Sequence, residues 1–305
     1  MMPTPILIAG PTASGKSALA LAIAQRVGGV IVNADSMQVY REAPILTAQP
    51  TAAEQARVPH RLYGHVAGAD AYSTGRYVTD VQPVIAEITA TGKRPVIVGG
   101  TGLYFKALLE GLSPVPPIPP EIRLRCRALA KTEGVAAVRA ALVKVDPNIV
   151  ARLDATDAQR LIRALEVFEA TGRPLSAWQR EPGRPVIDDA TSTRLVVDRP
   201  REELQARADA RFDLMLKTGA LEEMQVLATM DLAPELPLMR ALGVRPLLAH
   251  LAGTLSLAGA IAAGKLETRQ YIKRQQTWLR RHMIAWRRID AQVLEIPAGL
   301  IDSIT

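Results

Sequence analysis

Residues 10–17 constrain most strongly what this chain can fold into. They read Gly10-Pro11-Thr12-Ala13-Ser14-Gly15-Lys16-Ser17 and fit the pattern G-x-x-x-x-G-K-[ST]. The apolar run Ile6–Ala9 precedes them, and a helical pattern rich in Ala and Leu follows over 17–27. Glycines let backbone N–H groups close around an anion, and the start of a helix adds partial positive charge. The segment therefore predicts a strand, a loop that binds a di- or triphosphate, and a helix.

Short apolar runs alternate with helical patterns in the rest of the first 110 residues. The runs 30–33 and 95–98 are typical of buried strands, and helical patterns cover 77–91 and 103–110. A further strand-like run lies at 194–197. This alternation is typical of parallel sheets. We therefore predict an α/β fold with a P-loop NTPase-like parallel sheet core flanked by helices.

The alternation of strand and helix patterns ends after residue 110. Residues 113–120 contain five prolines in eight positions, which predicts a stiff, extended connection. From 121 to 177 the sequence shows helical patterns and no convincing strand. We predict a core made of residues 1–116 and 189–305, with an inserted all-helical domain at 117–188.

The net charge is concentrated near the C-terminus. Lys and Arg total 37 and Asp and Glu total 30, a net charge of +7. Residues 265–288 hold eight basic residues and one acidic residue, Glu267, so this segment carries +7 and the other 281 residues sum to zero. We predict helices over 202–217, 221–229 and 267–288. A concentrated basic patch is expected for a polyanionic partner, and a solvated face of an ordinary helix is the alternative.

Composition excludes several classes of protein. Hydrophobic residues make up 48% and charged residues 22%, as in ordinary globular proteins. The single cysteine, Cys126, rules out a disulfide framework within the chain and a cysteine-cluster zinc site, and it fits a reducing cytosol. No apolar run approaches the ~18 residues that a membrane helix needs. The short run Ile6–Ala9 is interpreted as a core strand and not as a signal peptide. We expect a cytoplasmic protein.

The loop has no clear acidic partner of the kind that ATP-hydrolysing enzymes carry. The run 95–98 ends in Gly99-Gly100-Thr101 without an acid, so the loop indicates phosphates more strongly than it indicates ATP. Asp35 lies two residues beyond the run 30–33, at the sheet edge where ligands bind in open α/β folds. Its carboxylate is a candidate general base, a candidate metal ligand, or a cap of the following segment.

These motifs together resemble one family, the tRNA dimethylallyltransferases (tRNA isopentenyltransferases). The matching segments run in family order over nearly the whole chain. They are the loop 10–17, Asp35-Ser-Met-Gln-Val-Tyr40, Gly99-Gly-Thr-Gly-Leu-Tyr104, Gln159-Arg-Leu-Ile-Arg163, Arg211-Phe-Asp-Leu-Met-Leu216, Arg240-Ala-Leu-Gly-Val-Arg245 and Lys273-Arg-Gln-Gln-Thr-Trp-Leu-Arg280. The loop alone is common, but the ordered set is specific. One departure is Tyr63-Gly64-His65, where many members carry an acidic residue.

The resemblance implies transfer of a dimethylallyl group from dimethylallyl diphosphate to the exocyclic N6 amine of the adenine immediately 3′ of the anticodon in tRNA, with release of diphosphate. The loop would then hold the donor's diphosphate, which explains a phosphate loop without ATPase partners. It also implies Mg²⁺ as cofactor with Ser17 as its ligand, tRNA and the donor as partners, no membrane association, and a monomer whose inserted domain clamps the anticodon arm. An adenine amine is a poor nucleophile, so Asp35 is the natural proton acceptor. The base must be extruded from its stack to reach the site.

The resemblance also assigns individual residues. It implies the catalytic residues Asp35, Thr101 and Arg211. It assigns the donor diphosphate to Gly10, Pro11, Thr12, Ala13, Ser14, Gly15, Lys16 and Ser17. It assigns tRNA contacts to Asp35, Ser36, Met37, Gln38, Thr101, Arg123, Gln159, Arg160, Leu161, Ile162, Arg163, Arg240, Ala241, Leu242, Gly243, Val244, Arg245, Lys273, Arg274, Gln275, Gln276, Thr277, Trp278, Leu279 and Arg280. From the residues alone, Arg211 could be a helix-surface arginine and Thr101 part of a plain turn that caps the next helix.

Two other functions are compatible with such a loop. A small-molecule kinase would use Lys16 on ATP and Asp35 as the base for a hydroxyl acceptor, but the concentrated basic segment argues against a small acceptor. A nucleotide-regulated RNA-binding protein without chemistry is the second, and Asp35 and Thr101 at strand ends argue against it.

Overall fold

The computed structural model describes residues 3–290. The chain divides into two compact units, one formed by residues up to 109 together with those from 186 onward, and one formed by 110–185. No helix within the described range is long and apolar enough to cross a membrane.

The first unit contains a six-stranded parallel sheet with the order β3-β2-β4-β1-β5-β6. The strands are β1 (Ile6–Ala9), β2 (Val30–Asn33), β3 (His60–Arg61), β4 (Pro95–Gly99), β5 (Thr193–Asp198) and β6 (Arg287–Asp290). Because the strands are parallel, their carboxyl ends share one edge of the sheet. The glycine loop and the segments that begin with Ala34, Gly100 and Arg199 therefore leave the sheet side by side.

Thirteen α-helices lie in the described part of the chain. They are α1 (Lys16–Val27), α2 (Ala52–Arg57), α3 (Thr74–Ala90), α4 (Gly102–Glu110), α5 (Pro120–Thr132), α6 (Val135–Val145), α7 (Pro147–Arg152), α8 (Ala158–Thr171), α9 (Leu175–Trp178), α10 (Arg201–Lys217), α11 (Ala220–Ala228), α12 (Val244–Leu251) and α13 (Leu257–His282). Strands and helices alternate in the first unit, and α5 to α9 form the second. The predicted α/β fold with an inserted helical domain is confirmed.

The central strand β1 is buried on both faces, and alternate residues serve two cores. Ile6 and Ile8 belong to the cluster that packs against α1, whereas Leu7 and Ala9 belong to the larger cluster on the other face. Burying one such aliphatic side chain stabilises the fold by roughly 1.5–3 kcal/mol. Core side chains therefore pack on both faces of the sheet at β1, and the sheet is a rigid base for the loops at the carboxyl ends of its strands.

The second unit has its own small core. Leu142, Leu161 and Cys126 are buried in one cluster contributed by α5, α6 and α8. The buried carboxylate of Asp146 accepts hydrogen bonds from the backbone N–H groups of Ile149 and Ser176, at 3.1 and 2.9 Å. This one side chain thus caps α7 and holds the start of α9, which explains why an acid is buried there.

The C-terminal helix differs from its prediction. The sequence predicts a helix over 267–288, but α13 begins at Leu257, where Ser256 caps it by accepting from the N–H of Gly259, and it ends at His282. Arg287 and Arg288 lie instead on β6, an edge strand that buries Ile289. Two exposed arginines obscure the strand pattern, because an edge strand leaves side chains in water.

Candidate active site

The glycine loop that follows β1 is held in a tight conformation. Gly15 has φ 95° and Ala13 has φ 64°, both in the left-handed region that favours glycine and that a residue with a Cβ such as Ala13 rarely adopts. The N–H of Ser14 donates to the carbonyl of Pro11 at 3.2 Å, and Nζ of Lys16 donates to the same carbonyl at 3.3 Å. The loop therefore has the strand–loop–helix form that the motif predicts.

Two arginines that the sequence analysis missed brace this loop. Nε of Arg199 donates to the carbonyl of Ser14 at 3.1 Å, and Nε of Arg207 donates to the carbonyl of Ala13 at 3.0 Å. Arg199 directly follows β5 at the same sheet edge, and this position was the signal available in the sequence. Both guanidinium groups fix the backbone of the loop, and that of Arg199 is also ion-paired with Glu203.

The structure brings Asp35 and Arg211 into electrostatic range of the loop lysine. Burial lowers the pKa of Lys16 to about 8, with the Asp35 carboxylate opposing the shift and the Arg211 guanidinium adding to it. Burial likewise lowers the pKa of Arg211, again opposed by Asp35, while Arg207 adds to the shift. Arg211 projects from α10, far along the chain from the loop. Two of the three predicted catalytic residues thus act electrostatically on the same loop lysine.

Asp35 is oriented by the residues around it. The fully buried side chain of Asn33 accepts from the N–H of Asp35 at 2.8 Å and donates to the carbonyls of Asp35 and Leu62 at 3.0 and 3.1 Å. Oδ1 of Asp35 accepts from the N–H of Met37 at 3.0 Å, so the residue also closes the following turn. Oδ2 faces Gly100, where an added Cβ would lie 3.2 Å away. One carboxylate oxygen is used locally, and the other is directed toward the end of β4.

Thr101, the third predicted catalytic residue, ties two strand ends together. Its hydroxyl accepts from the N–H of Ser36 at 2.9 Å and donates to the hydroxyl of Ser36 at 3.2 Å. The hydroxyl of Tyr271 on α13 lies by the side chains of Thr101 and Gln275, and burial raises the pKa of Tyr271 above its usual value. Thr101 therefore connects the segment of Asp35 with β4 and lies beside α13.

One face of α13 closes the site. Oε1 of Gln275 accepts from the N–H of Thr12 at 2.8 Å, and its Nε2 donates to the carbonyl of Gly100 at 3.0 Å. Nε2 of Gln276 lies 3.3 Å from both Oδ1 of Asp198 and the carbonyl of Arg199. Gln275, Gln276 and Leu279 are buried, so these side chains have partners inside the protein. Their predicted contact with tRNA stays a prediction.

The outer face of α13 carries the exposed members of the predicted RNA-binding set, namely Lys273, Arg274, Thr277 and Arg280. Trp278 is partly buried and stacks on His282 at 4.5 Å between ring centroids, with 8° between the planes. Its indole also packs against Gly102, where an added Cβ would lie 2.2 Å from the ring. Trp278 is therefore in part a packing residue, as its helical spacing suggests.

Ion pairs reduce the free charge of the basic segment. Lys265 pairs with Asp213 at 2.6 Å, Arg269 donates to both oxygens of Asp209, and Arg288 pairs with Asp198 at 3.2 Å. Within residues 3–290, no ion pair joins Lys273, Arg274, Arg280 or Arg281. The sequence places +7 over 265–288, whereas the structure concentrates the unpaired charge on the last turns of α13.

The predicted contact segment 240–245 forms the turn that enters α12. Gly243 has φ 84°, and its N–H donates to the carboxylate of Glu267 at 3.0 Å. Arg240 and Arg245 are exposed but donate to the backbone carbonyls of Glu235, Met239 and Pro234. Ala241 and Val244 are buried, so the exposed chemistry of this segment consists of its two arginines.

In the second unit, the predicted contacts Arg123, Gln159 and Arg160 are exposed. Arg160 pairs with Asp157 at 3.4 Å and Arg163 pairs with Glu166 at 3.6 Å, while Leu161 is buried in the core of the unit. The exposed pair of Arg160 contributes about 0–1 kcal/mol, so a phosphate can replace Asp157 there. The partner of Arg163 is the buried carboxylate of Glu166, which would be left without that cation if Arg163 moved to a phosphate. The surface is compatible with RNA contact and also with a solvated, ion-paired helix face.

A magnesium ion fits the donor set at the start of α1. Ser17 is exposed, and within 3–290 no hydrogen bond reaches its hydroxyl. The described residues contain no group of three His, Cys, Asp or Glu side chains that could hold a metal by themselves. Mg²⁺ is commonly bound through few protein ligands, substrate phosphates and several waters. Ser17 beside a diphosphate would suit that mode of binding.

Comparison with known proteins gives one consistent family. Family models described as IPP transferase and isopentenyl transferase match residues 38–282 and 4–64. Proteins named tRNA dimethylallyltransferase from Parvibaculum lavamentivorans and Azorhizobium caulinodans are 53% and 50% identical, over 287 and 288 residues. Each alignment covers 94% of this chain, and 91% and 92% of the respective relative.

Solved structures show the same similarity. A eukaryotic dimethylallyltransferase, crystallised while acting on tRNA, superposes with a TM-score of 0.84 at 29% identity, over 98% of this chain and 77% of that one. A tRNA isopentenylpyrophosphate transferase of Bacillus halodurans superposes with a TM-score of 0.68 at 29% identity, over 99% and 97%.

The low pKa of Lys16 leads to a test on anion binding. Because the lysine is charged below pH 8 and neutral above it, the affinity for inorganic diphosphate should fall as the pH rises from 7 to 9.5. Diphosphate itself titrates in this range. The readout is therefore the affinity of the unmodified protein divided by the affinity of Lys16→Arg, whose arginine stays charged throughout. Isothermal titration calorimetry should give a ratio that drops by about tenfold per pH unit above 8. A ratio independent of pH would contradict the assignment.

Proposed function

This chain belongs to the IPP transferase family of tRNA dimethylallyltransferases, and we propose how its site carries out the reaction. The chain transfers a dimethylallyl group to an adenine of tRNA. We propose that the donor is dimethylallyl diphosphate, that the acceptor is the exocyclic N6 amine of the adenine immediately 3′ of the anticodon, and that diphosphate is released. The observation that carries this proposal is the convergence of Lys16, Arg211 and Asp35 beside a phosphate loop.

In this mechanism the loop binds the leaving group. The bond between the allylic carbon and the diphosphate oxygen breaks while a bond forms from that carbon to N6 of the adenine. Negative charge then grows on the departing diphosphate, where Lys16, Arg211 and the backbone N–H groups stabilise it. Bound at Ser17, Mg²⁺ would neutralise part of that charge.

The nucleophile loses one proton in the same reaction. The amine nitrogen shares its lone pair with the purine ring and becomes acidic as the new bond forms. Asp35 accepts the proton, because Asn33 fixes its backbone and the carboxylate oxygen Oδ2 is directed toward the end of β4. Thr101 helps to position the base through its place between the two strand ends.

The substrate macromolecule explains the charge distribution. RNA is bound through backbone contacts and through bases splayed out of single-stranded loops. The unpaired cations Lys273, Arg274 and Arg280 supply the backbone contacts on the first unit, and Arg123, Arg160 and Arg163 supply a second set on the helical unit. We propose that the enzyme acts as a monomer in the cytoplasm, where it meets its tRNA.

The reaction is tested directly with unmodified tRNA and labelled dimethylallyl diphosphate, with and without ATP. Label should enter tRNA without ATP, and inorganic diphosphate should compete with the donor, since both bind the same loop. A strict requirement for ATP with a phosphorylated product would instead favour a small-molecule kinase.

The role of Asp35 is tested by Asp35→Asn, which keeps the size of the side chain and removes its basicity. The single-turnover rate should fall on the order of 10² to 10⁴-fold, the usual contribution of a positioned base. Affinity for tRNA should stay within about tenfold, equivalent to roughly 1.4 kcal/mol. Rescue by high Mg²⁺ would indicate a metal ligand instead, and lost thermal stability with normal chemistry would indicate a cap.

The RNA surface is tested with two arginines of one helix. Arg280→Gln removes an unpaired cation, so the slope of log affinity for tRNA against log salt concentration should decrease in magnitude by about 0.7–0.9. The matched control Arg269→Gln removes an arginine that Asp209 already neutralises, and its slope should change much less. If Arg280→Gln leaves the slope as little changed as Arg269→Gln does, the last turns of α13 do not contact phosphates. Filter binding over a salt series measures both.

A further inference from the structure

We propose that Gln275 is a positioning residue that holds the donor half of the site in register with the acceptor half. The inference rests on the proposed function and assigns to Gln275 a role inside the protein. The donor half is the glycine loop, which begins the phosphate site, and the acceptor half is the end of β4 with Asp35 and Thr101. A single side chain from α13 is bonded to both.

The two hydrogen bonds of Gln275 join segments that are distant in the sequence. Its Oε1 accepts from the N–H of Thr12, 263 residues away, and its Nε2 donates to the carbonyl of Gly100, 175 residues away. The carbonyl of Gly100 belongs to the peptide that leads into Thr101, and Gly100 lies against Oδ2 of Asp35. The amide therefore spans the gap between the atoms that would hold the diphosphate and those that would meet the adenine.

The neighbourhood is built around this amide. A Cβ added to Gly100 would lie 2.4 Å from Nε2 of Gln275, so a side chain there would displace the bond. Gln275 is 6% exposed, and water has little access to either of its bonds. Tyr271, one turn earlier on the same helix, lies by both Thr101 and Gln275. The hydrogen bonds to Thr12 and Gly100, with Tyr271 beside them, thus hold the amide in one orientation.

The position of Gln275 on α13 links the proposed tRNA surface to the interior of the site. The same helix presents Lys273 and Arg280 to solvent, on the surface proposed for tRNA. A helix fixed by tRNA on its outer face therefore fixes the Thr12 N–H and the Gly100 carbonyl through its inner face. Since a misplacement of about 1 Å can cost 10²-fold in rate, such a link bears on chemistry more than on affinity.

The test compares two substitutions at position 275 with one elsewhere on the helix. Gln275→Met keeps the volume and removes both bonds, so the single-turnover rate at saturating substrates should fall about 10- to 100-fold. Affinities for inorganic diphosphate and for tRNA should change less than about threefold, which is roughly 0.7 kcal/mol. The control Thr268→Val removes a buried hydroxyl that bonds only within α13, to Gly264, and its rate should stay within about twofold of the unmodified enzyme.

A pH profile separates positioning from loss of stability. Gln275→Glu keeps an oxygen for the N–H of Thr12, but it can donate to the carbonyl of Gly100 only when its carboxyl is protonated. Its rate relative to the unmodified enzyme at the same pH should therefore rise as the pH falls from 8 to 6, while the relative rate of Gln275→Met stays flat. This variant carries the test alone if Gln275→Met does not fold.

Two results would overturn the inference. One is a rate for Gln275→Met within about threefold of the unmodified enzyme. The other is a relative rate for Gln275→Glu that does not change with pH. Both presuppose that the unmodified enzyme transfers label from dimethylallyl diphosphate to tRNA. Failure of that reaction would contradict the proposed function. An active unmodified enzyme together with either of the two results above would contradict only the role of Gln275.

Discussion

The site depends on one electrostatic balance, in which the carboxylate of Asp35 favours the charged forms of both the Lys16 ammonium and the Arg211 guanidinium. Burial disfavours both cations and Asp35 favours both, so positive charge remains uncompensated beside the loop. An anion that enters this low-dielectric environment replaces the hydration that the cations have lost. A diphosphate leaving group gains charge as its bond to carbon breaks, and the same cations then bind the transition state more tightly than the ground state.

The parallel sheet is what allows this balance to form. Lys16, Asp35 and Thr101 follow three different strands, and they meet because the carboxyl ends of parallel strands share an edge. Arg211 and Gln275 come from α10 and α13, which lie at the same edge. Ion pairs join these two helices, among them the pair of Asp209 with Arg269. The acids of α10 thus neutralise the first turns of the basic segment, and the unpaired cations are left near its end, where RNA would meet them.

The sequence predicts the loop, Asp35 and the alternation of strands and helices, because each of these is encoded by neighbouring residues. Features that depend on distant residues were not predictable. The partner of Arg269 lies 60 residues away, and β3 is a two-residue strand, too short for any pattern. The edge strand β6 hides its single buried side chain among exposed arginines. The resemblance assigns Gln275 to tRNA contact, and its bonds to Thr12 and Gly100, which lie 263 and 175 residues away, are not encoded in its neighbouring residues.

The inner face of α13 illustrates why a neutral amide suits that position. A lysine or arginine at 275 could donate to the Gly100 carbonyl but not accept from Thr12, and it would add a cation beside Lys16 and Arg211. A carboxylate could accept but not donate, and it would add an anion beside Asp35 that repels the incoming diphosphate. Glutamine satisfies one donor and one acceptor and leaves the charge of the site unchanged. The helix can therefore be cationic outside for RNA and neutral inside for chemistry, and the two faces serve one reaction without disturbing each other's electrostatics.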